Sequence, residues 1–191
     1  MSGSSLDGLD VALANFTREN NGIWSGELDQ IHCFDFPASL KVRLRKAMHM
    51  TALEMCELDR DWALFAAKCV KDSITNLSLK PDLVASHGHT VFHNPSEGFT
   101  TQIGSGAIIA AETHTPVVCD LRSLDVAYGG TGAPLIPLVD KLLFSEYDGC
   151  LNLGGFSNIS HLNSKPEVIA WDIGPCNNLL NKLSRIVGFE Y

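Results

Sequence analysis

A carboxylate at the junction of a strand and a helix can act as a general base or hold a metal ion. In α/β sheets that junction is also where substrates and phosphates gather. Residues 168–183 set Asp172 in such a place. The apolar run 168–171 reads as a short buried strand, Gly174-Pro175 breaks it, and a helical pattern begins at Asn177. The same carboxylate could instead cap the helix or bond the turn amides, so Asp172 taken alone does not decide between chemistry and structure.

Other groups could work beside it. Residues 2–8 offer hydroxyls and amides suited to a phosphate, with Asp7 or Asp10 near a hydrated metal ion; an ordinary N-terminal segment is the alternative. His87, His89 and His93 place three imidazoles within seven residues, which raises a zinc site, yet no carboxylate or cysteine in the segment completes a ligand set. A loop of His and Thr side chains also makes a sugar- or hydroxyl-binding edge, and substrate contact is the favoured reading. Asp120, Arg122 and Asp125 follow the apolar run 116–119 at the same kind of strand edge. Arg122 could grip a carboxylate bidentately, or pair with Asp120 or Asp125.

These groups need elements to position them. Residues 11–16 alternate as a strand does, and residues 24–36 read as one or two more strands of an antiparallel meander. Residues 38–77 carry two helical stripes, one through Leu40, Leu44, Ala47 and Met48, the other through Leu64, Ala67, Val70, Ile74 and Leu77, with Asp59 as N-cap of the second helix. Buried strands are expected at 83–86 and 116–119, a short strand at 99–103, and helices at 107–113 and 135–143. Residues 150–162 read as a β-hairpin turning at Gly154-Gly155. Its turn echoes the Ser/Gly turn near the N-terminus, as if two related halves cradled phosphates from opposite sides.

The chain has 191 residues, 45% of them hydrophobic, enough for one substantial domain or one and a fraction. A formal charge of −8 argues against a general nucleic-acid or anionic-membrane surface while leaving nucleotide binding open. Six cysteines occur without a Cys-x-x-Cys pair, which fits reduced, buried thiols in a cytoplasmic protein. No apolar run is long enough to cross a bilayer, and a soluble protein is expected.

Five motifs, taken in order, resemble the anhydro-N-acetylmuramic acid kinase family along essentially the whole chain. They are Met-Ser-Gly-Ser-Ser-Leu-Asp-Gly-Leu-Asp at 1–10, Ser-His-Gly-His-Thr-Val-Phe-His-Asn-Pro at 86–95, Asp-Leu-Arg-Ser-Leu-Asp-Val-Ala-Tyr-Gly-Gly-Thr-Gly-Ala-Pro-Leu at 120–135, Leu-Asn-Leu-Gly-Gly-Phe-Ser-Asn-Ile at 151–159 and Trp-Asp-Ile-Gly-Pro-Cys-Asn at 171–177. The resemblance implies an α/β fold of the actin-like, sugar-kinase and heat-shock ATPase (ribonuclease H-like) type, with a nucleotide and sugar cleft between two domains. Residues 1–147 would form the first domain and residues 148–191 the beginning of a truncated second.

It also implies a cytoplasmic enzyme of cell-wall recycling that uses ATP and Mg²⁺. Water opens the anhydro bridge while the freed primary-hydroxyl oxygen takes the γ-phosphoryl group. By motif, Asp172 would be the base that activates the water. Gly3, Ser4, Ser5, Leu6, Asp7, Gly8, Leu9 and Asp10 would form the first phosphate loop, with Asp7 near Mg²⁺, and Gly154 and Gly155 the second phosphate-side turn. His87, Thr90 and Arg122 would lie on the sugar side. His89, Thr131, Ile173 and Cys176 depart from the family's usual residues, and the strand before Met1 and most of the second domain are expected to be missing. The competing expectation is an inactive sugar-binding or assembly fragment. Exposed apolar surface on the helix 177–187 makes a homodimer an expectation as well.

Overall fold

A five-residue connection is too short for the crossover that parallel strands need, so two strands joined by one must run antiparallel. That is how the chain opens: β1 (Gly8–Arg18) and β2 (Trp24–Asp35) form a two-stranded sheet, and the turn is closed by the Glu19 amide on the Ile23 carbonyl. Residues 24–36, read as one or two strands, contain one. The computed structural model describes residues 6, 8–75, 80–133, 135–162 and 168–189. It divides into two compact units, Met1–Ala14 with Leu28–Ala133, and Asn15–Glu27 with Pro134–Tyr191.

In the first unit, α1 (Ala38–Lys46) buries Leu40 and Leu44, and a single 3₁₀ turn leads to α2 (Ala52–Ile74). Both expected helices are present. The second starts earlier than the apolar cluster at 62–70 suggests, because Thr51 and Glu54 form a capping box: the Glu54 amide donates to Thr51 Oγ1, and the Thr51 amide donates to the Glu54 carboxylate. Asp59, expected to be the N-cap, lies inside the helix. The buried stripe runs through Leu58, Trp62, Ala66 and Cys69, while Leu64 and Met48 stay exposed and Leu77 is outside the described residues.

Beyond α2 come β3 (Val84–Ala85), β4 (His89–Asn94), β5 (Phe99–Ile103), α3 (Gly106–Thr113), β6 (Val117–Val118) and α4 (Ser123–Ala127). β4 pairs antiparallel with β5, and β3 pairs parallel with β6. The β3 and β6 strands are less buried than expected: Leu83 and Val118 are exposed. Leu9, Leu40, Leu58, Trp62, Ile103 and Ile109 anchor the core of this unit. Burying a side chain such as Leu58 stabilises the fold by roughly 1.5–3 kcal/mol relative to leaving it exposed.

The second unit holds α5 (Ile136–Leu143), β7 (Gly149–Leu153), β8 (Phe156–His161), β9 (Ile169–Pro175) and α6 (Asn177–Ile186). The three strands form an antiparallel sheet in the order β7-β8-β9, and the hairpin expected at 150–162 is β7–β8. The strand expected to end near Asp172 continues to Pro175, and its apolar residues Ile169, Trp171 and Ile173 are exposed rather than buried. Pairing along β8 sustains it, with Asp172 opposite Asn158 and Pro175 opposite Phe156. Proline survives there because β9 is an edge strand of this sheet, where its missing N–H costs no ladder bond.

The six cysteines are all free, but only Cys69 is fully buried, where desolvation pushes its thiol up to about 11. The expectation of buried thiols therefore holds at one position; Cys33, Cys56 and Cys119 are exposed. Among the described residues no helix is long and apolar enough to cross a membrane.

Candidate functional site

Parallel strands open their carboxyl ends to the same side, and loops leaving those ends line a crevice. Here β3 and β6 are such a pair, extended by the Ser86 amide on the Val118 carbonyl at 2.8 Å. Ser86 and His87 follow β3, Cys119 and Asp120 follow β6, and all four line a cavity of about 280 Å³ with Gln102 of β5 and Asp59 of α2. Asp59 reaches it from inside the helix, its Oδ1 accepting from the Gly104 amide at 2.6 Å. Asp120 takes a left-handed backbone (φ 55°), and Ser123 Oγ donates to its Oδ1 at 2.5 Å.

His87 and Arg122, read separately as sugar-side candidates, are joined. Arg122 Nε–H donates to His87 Nε2 at 2.8 Å, and Arg122 Nη1 donates to the Gly132 carbonyl at 2.6 Å. Since Nε2 accepts, the ring proton resides on Nδ1, which lies 3.2 Å from the Gly88 carbonyl and donates to it. Burial first, then the Arg122 charge, hold the imidazole below its usual pKa, while the bond to Gly88 pulls the other way. Of the alternatives raised from sequence, pairing with Asp120 or Asp125 is not seen: among the described residues Arg122 forms no ion pair with either. Asp125 Oδ2 instead accepts from the Gly132 amide at 2.7 Å.

Thr90, the third sugar-side candidate, sits opposite Gln102 beside an irregularity in the β4–β5 ladder, with Gln102 Nε2 3.4 Å from its Oγ1. It does not line the cavity. The three imidazoles build no metal-ligand group among the described residues: His89 is buried, and His93 Nδ1 lies 3.0 Å from Thr100 Oγ1. Burial, and then His87, lower the His89 pKa.

In the second unit the Gly154–Gly155 turn is tied to the start of α6. The amides of Cys176 and Asn178 donate to the Gly155 carbonyl, that of Asn177 to the Gly154 carbonyl, and Asn177 Nδ2 to the Leu153 carbonyl. These bonds consume the helix amides that would otherwise meet an anion. Among the described residues the amides of Gly154 and Gly155 donate to no protein acceptor, so they could serve as donors to a ligand. Asp172 is exposed on β9, and the β8 ladder opposite it is irregular between Ser157 and Asn158, a feature that re-aims side chains.

Of the N-terminal phosphate-loop candidates, Gly3, Ser4, Ser5 and Asp7 lie outside the described residues. Leu6 has φ 57° and packs on the core, Gly8 opens β1, and Leu9 is buried in the core. Asp10 is exposed and hydrogen-bonds the Cys33 thiol, which raises that thiol's pKa. No group of three or more His, Cys, Asp or Glu side chains converges among the described residues.

Asp59 and Gln102 carry no functional reading in the sequence, and Asp125 only that of a charge partner for Arg122. Asp59 had a signal: it precedes the fully buried Trp62 by three positions, hence lies on the inward side of the same helix.

A family model described as anhydro-N-acetylmuramic acid kinase matches residues 1–187. The chain is 37% identical over 190 residues to the anhydro-N-acetylmuramic acid kinase of Pseudomonas fluorescens (strain Pf0-1), covering 95% of this chain and 51% of that protein. It is 37% identical over 194 residues to the one of Pasteurella multocida (strain Pm70), covering 95% and 50%. To the one of Brucella suis (strain ATCC 23445 / NCTC 10510) it is 35% identical over 203 residues, covering 98% and 54%. The chain thus spans about half the length of the curated relatives it matches.

Proposed function

Since the chain belongs to the anhydro-N-acetylmuramic acid kinase family, we propose that it carries the sugar-side and part of the phosphate-side machinery of that cytoplasmic kinase, with the actin-like fold of sugar kinases. The substrate is 1,6-anhydro-N-acetylmuramic acid, the product N-acetylmuramate 6-phosphate, and the setting peptidoglycan recycling. The observation that carries this reading is the joining of His87 to Arg122 beside a polar cavity, where two motifs 35 residues apart converge.

The proposed reaction couples hydrolysis to phosphoryl transfer. The oxygen of water bonds to the anomeric carbon, the bond from that carbon to the bridging oxygen breaks, and the freed oxygen takes the γ-phosphoryl group as ADP leaves. ATP supplies that group when bound. Asp172, exposed on β9, accepts the proton that water loses. The free amides of Gly154 and Gly155 face phosphate oxygens, and the Arg122 guanidinium steadies an anionic or hydroxyl-bearing part of the sugar.

Incubating the chain with Mg-ATP and the anhydro sugar, and following sugar phosphate by mass spectrometry, tests this. Product that vanishes in Asp172→Asn supports it. Product that persists undiminished in that variant removes Asp172 as the base. Sugar binding by calorimetry without product assigns the chain to the second reading, an inactive sugar-binding fragment.

A further inference from the structure

We propose that Asp125 is a positioning residue. Its carboxylate braces the turn at residues 129–133 so that the Gly132 carbonyl, together with the neutral imidazole of His87, fixes the Arg122 guanidinium from two sides. Every link is a named bond. Asp125 contributes twice, its backbone carbonyl accepting from the Gly130 amide at 2.8 Å and its Oδ2 from the Gly132 amide at 2.7 Å. Thr131 Oγ1 donates to the Ala133 carbonyl and tightens the same turn. Gly132, itself buried, then presents its carbonyl to Arg122 Nη1.

Gly130 supplies an independent observation. A Cβ at that position would stand 2.2 Å from Asp125 Oδ2 and 2.5 Å from its carboxyl carbon. The turn is therefore packed against the Asp125 carboxylate, and a side chain at position 130 would displace it. Arg122 has five N–H donors; with one on His87 and one on Gly132, the remainder stay available for a ligand. Asp125 forms no ion pair with Arg122 among the described residues, so the cation keeps its charge for whatever it meets. The inference rests on the kinase reading only for the identity of that ligand.

The test uses the full chain and three variants: Asp125→Ala, which removes the acceptor; Asp125→Asn, which keeps one; and Gly130→Ala, which leaves Asp125 in place but displaces its carboxylate. Nitrogen-15 NMR reads the His87 tautomer, and hydrogen exchange reads the Arg122 Nε–H. In Asp125→Ala and Gly130→Ala, exchange is expected to quicken about tenfold, the scale of one lost charge-assisted bond. The His87 proton should then leave Nδ1 for a mixture of tautomers, while Asp125→Asn stays near the unsubstituted chain. Unchanged exchange and tautomer in folded Asp125→Ala would overturn the proposal. So would unfolding of all three variants, which would make Asp125 a requirement of the fold rather than a brace for Arg122. In turnover, KM for the anhydro sugar should rise about tenfold in Asp125→Ala with kcat nearly unchanged. Absence of turnover in the unsubstituted chain counts against the kinase reading alone, and the NMR outcome still decides the role of Asp125.

Discussion

His87 must stay neutral, because protonating Nε2 removes the acceptor that Arg122 uses and sets two cations side by side. Its pKa is lowered by burial and then by Arg122, against the contrary pull of Gly88, and neighbouring His89 is lowered by burial and by His87. The sign follows from proton uptake on unfolding. Released imidazoles return to about 6.5, so below that pH the unfolded chain binds protons that the folded chain refuses, and stability declines as pH falls from about 6.5 toward the lowered folded values. Carboxylates with lowered pKa values, Asp61, Glu54 and Glu112, act in a more acidic window. Thermal melts between about pH 7 and 5.5 should show this decline, and His87→Gln should flatten it roughly by half, leaving the share of His89. An unchanged slope in that variant would remove His87 as a source. Both His87 and Arg122 were legible as candidates from their residue types and strand-edge positions. Their bond was not, since partners 35 residues apart meet only through the β3–β6 pairing. Asp125 was read as a charge partner for Arg122, yet its donor is a backbone amide, which sequence does not display.

Between β5 and α3 the chain turns at Gly104, where a left-handed φ of 117° and the Trp62 ring coincide. A Cβ there would meet two Trp62 ring atoms at 2.5 Å, and Trp62 is fully buried and has no room to yield. Gly104→Ala should therefore cost on the order of 3 kcal/mol in denaturant unfolding, combining backbone strain with overpacking. Gly98→Ala provides the contrast, for its φ is also positive at 79° but nothing lies within 4 Å, and about 1 kcal/mol is expected. Equal losses would mean that contact with Trp62 contributes nothing. The strand-turn-helix order at 99–113, the hairpin at 149–161 and the start of α6 were legible because local pattern and turn chemistry agree there. The start of α2 differs from the expected one although Thr51 and Glu54 carry the capping-box spacing, because Asp59 stands shortly before the most apolar stretch and looks like a cap. The length of β9 was hidden for another reason: Gly174-Pro175 is a breaker by local rules, and only pairing with β8 overrides it.

The two units differ in what they bury. Every buried apolar side chain in the described residues belongs to the first, whereas the second has only Asp140, Ser157 and Ser160 buried. A three-stranded sheet with Leu151 and Trp171 exposed, and a helix with no buried residue, leaves apolar faces that a stable unit normally covers. Along α6 and its C-cap the exposed Leu180, Leu183 and Val187 recur at helical spacing and, with Phe189, line a groove. We expect a second copy of the chain to occupy this face in isolation, seen as concentration-dependent association in sedimentation velocity. Leu180→Lys with Leu183→Lys should suppress it. Lysine is the informative choice because the chain carries a net charge of −8. Added positive charge lessens repulsion between copies, so any loss of association reports the apolar contact itself. Stability of the substituted chain should change by no more than about 0.5 kcal/mol per site, as for surface positions generally. A chain that stays monomeric as concentration rises, or one whose association survives both lysines, would place the contact elsewhere than on α6.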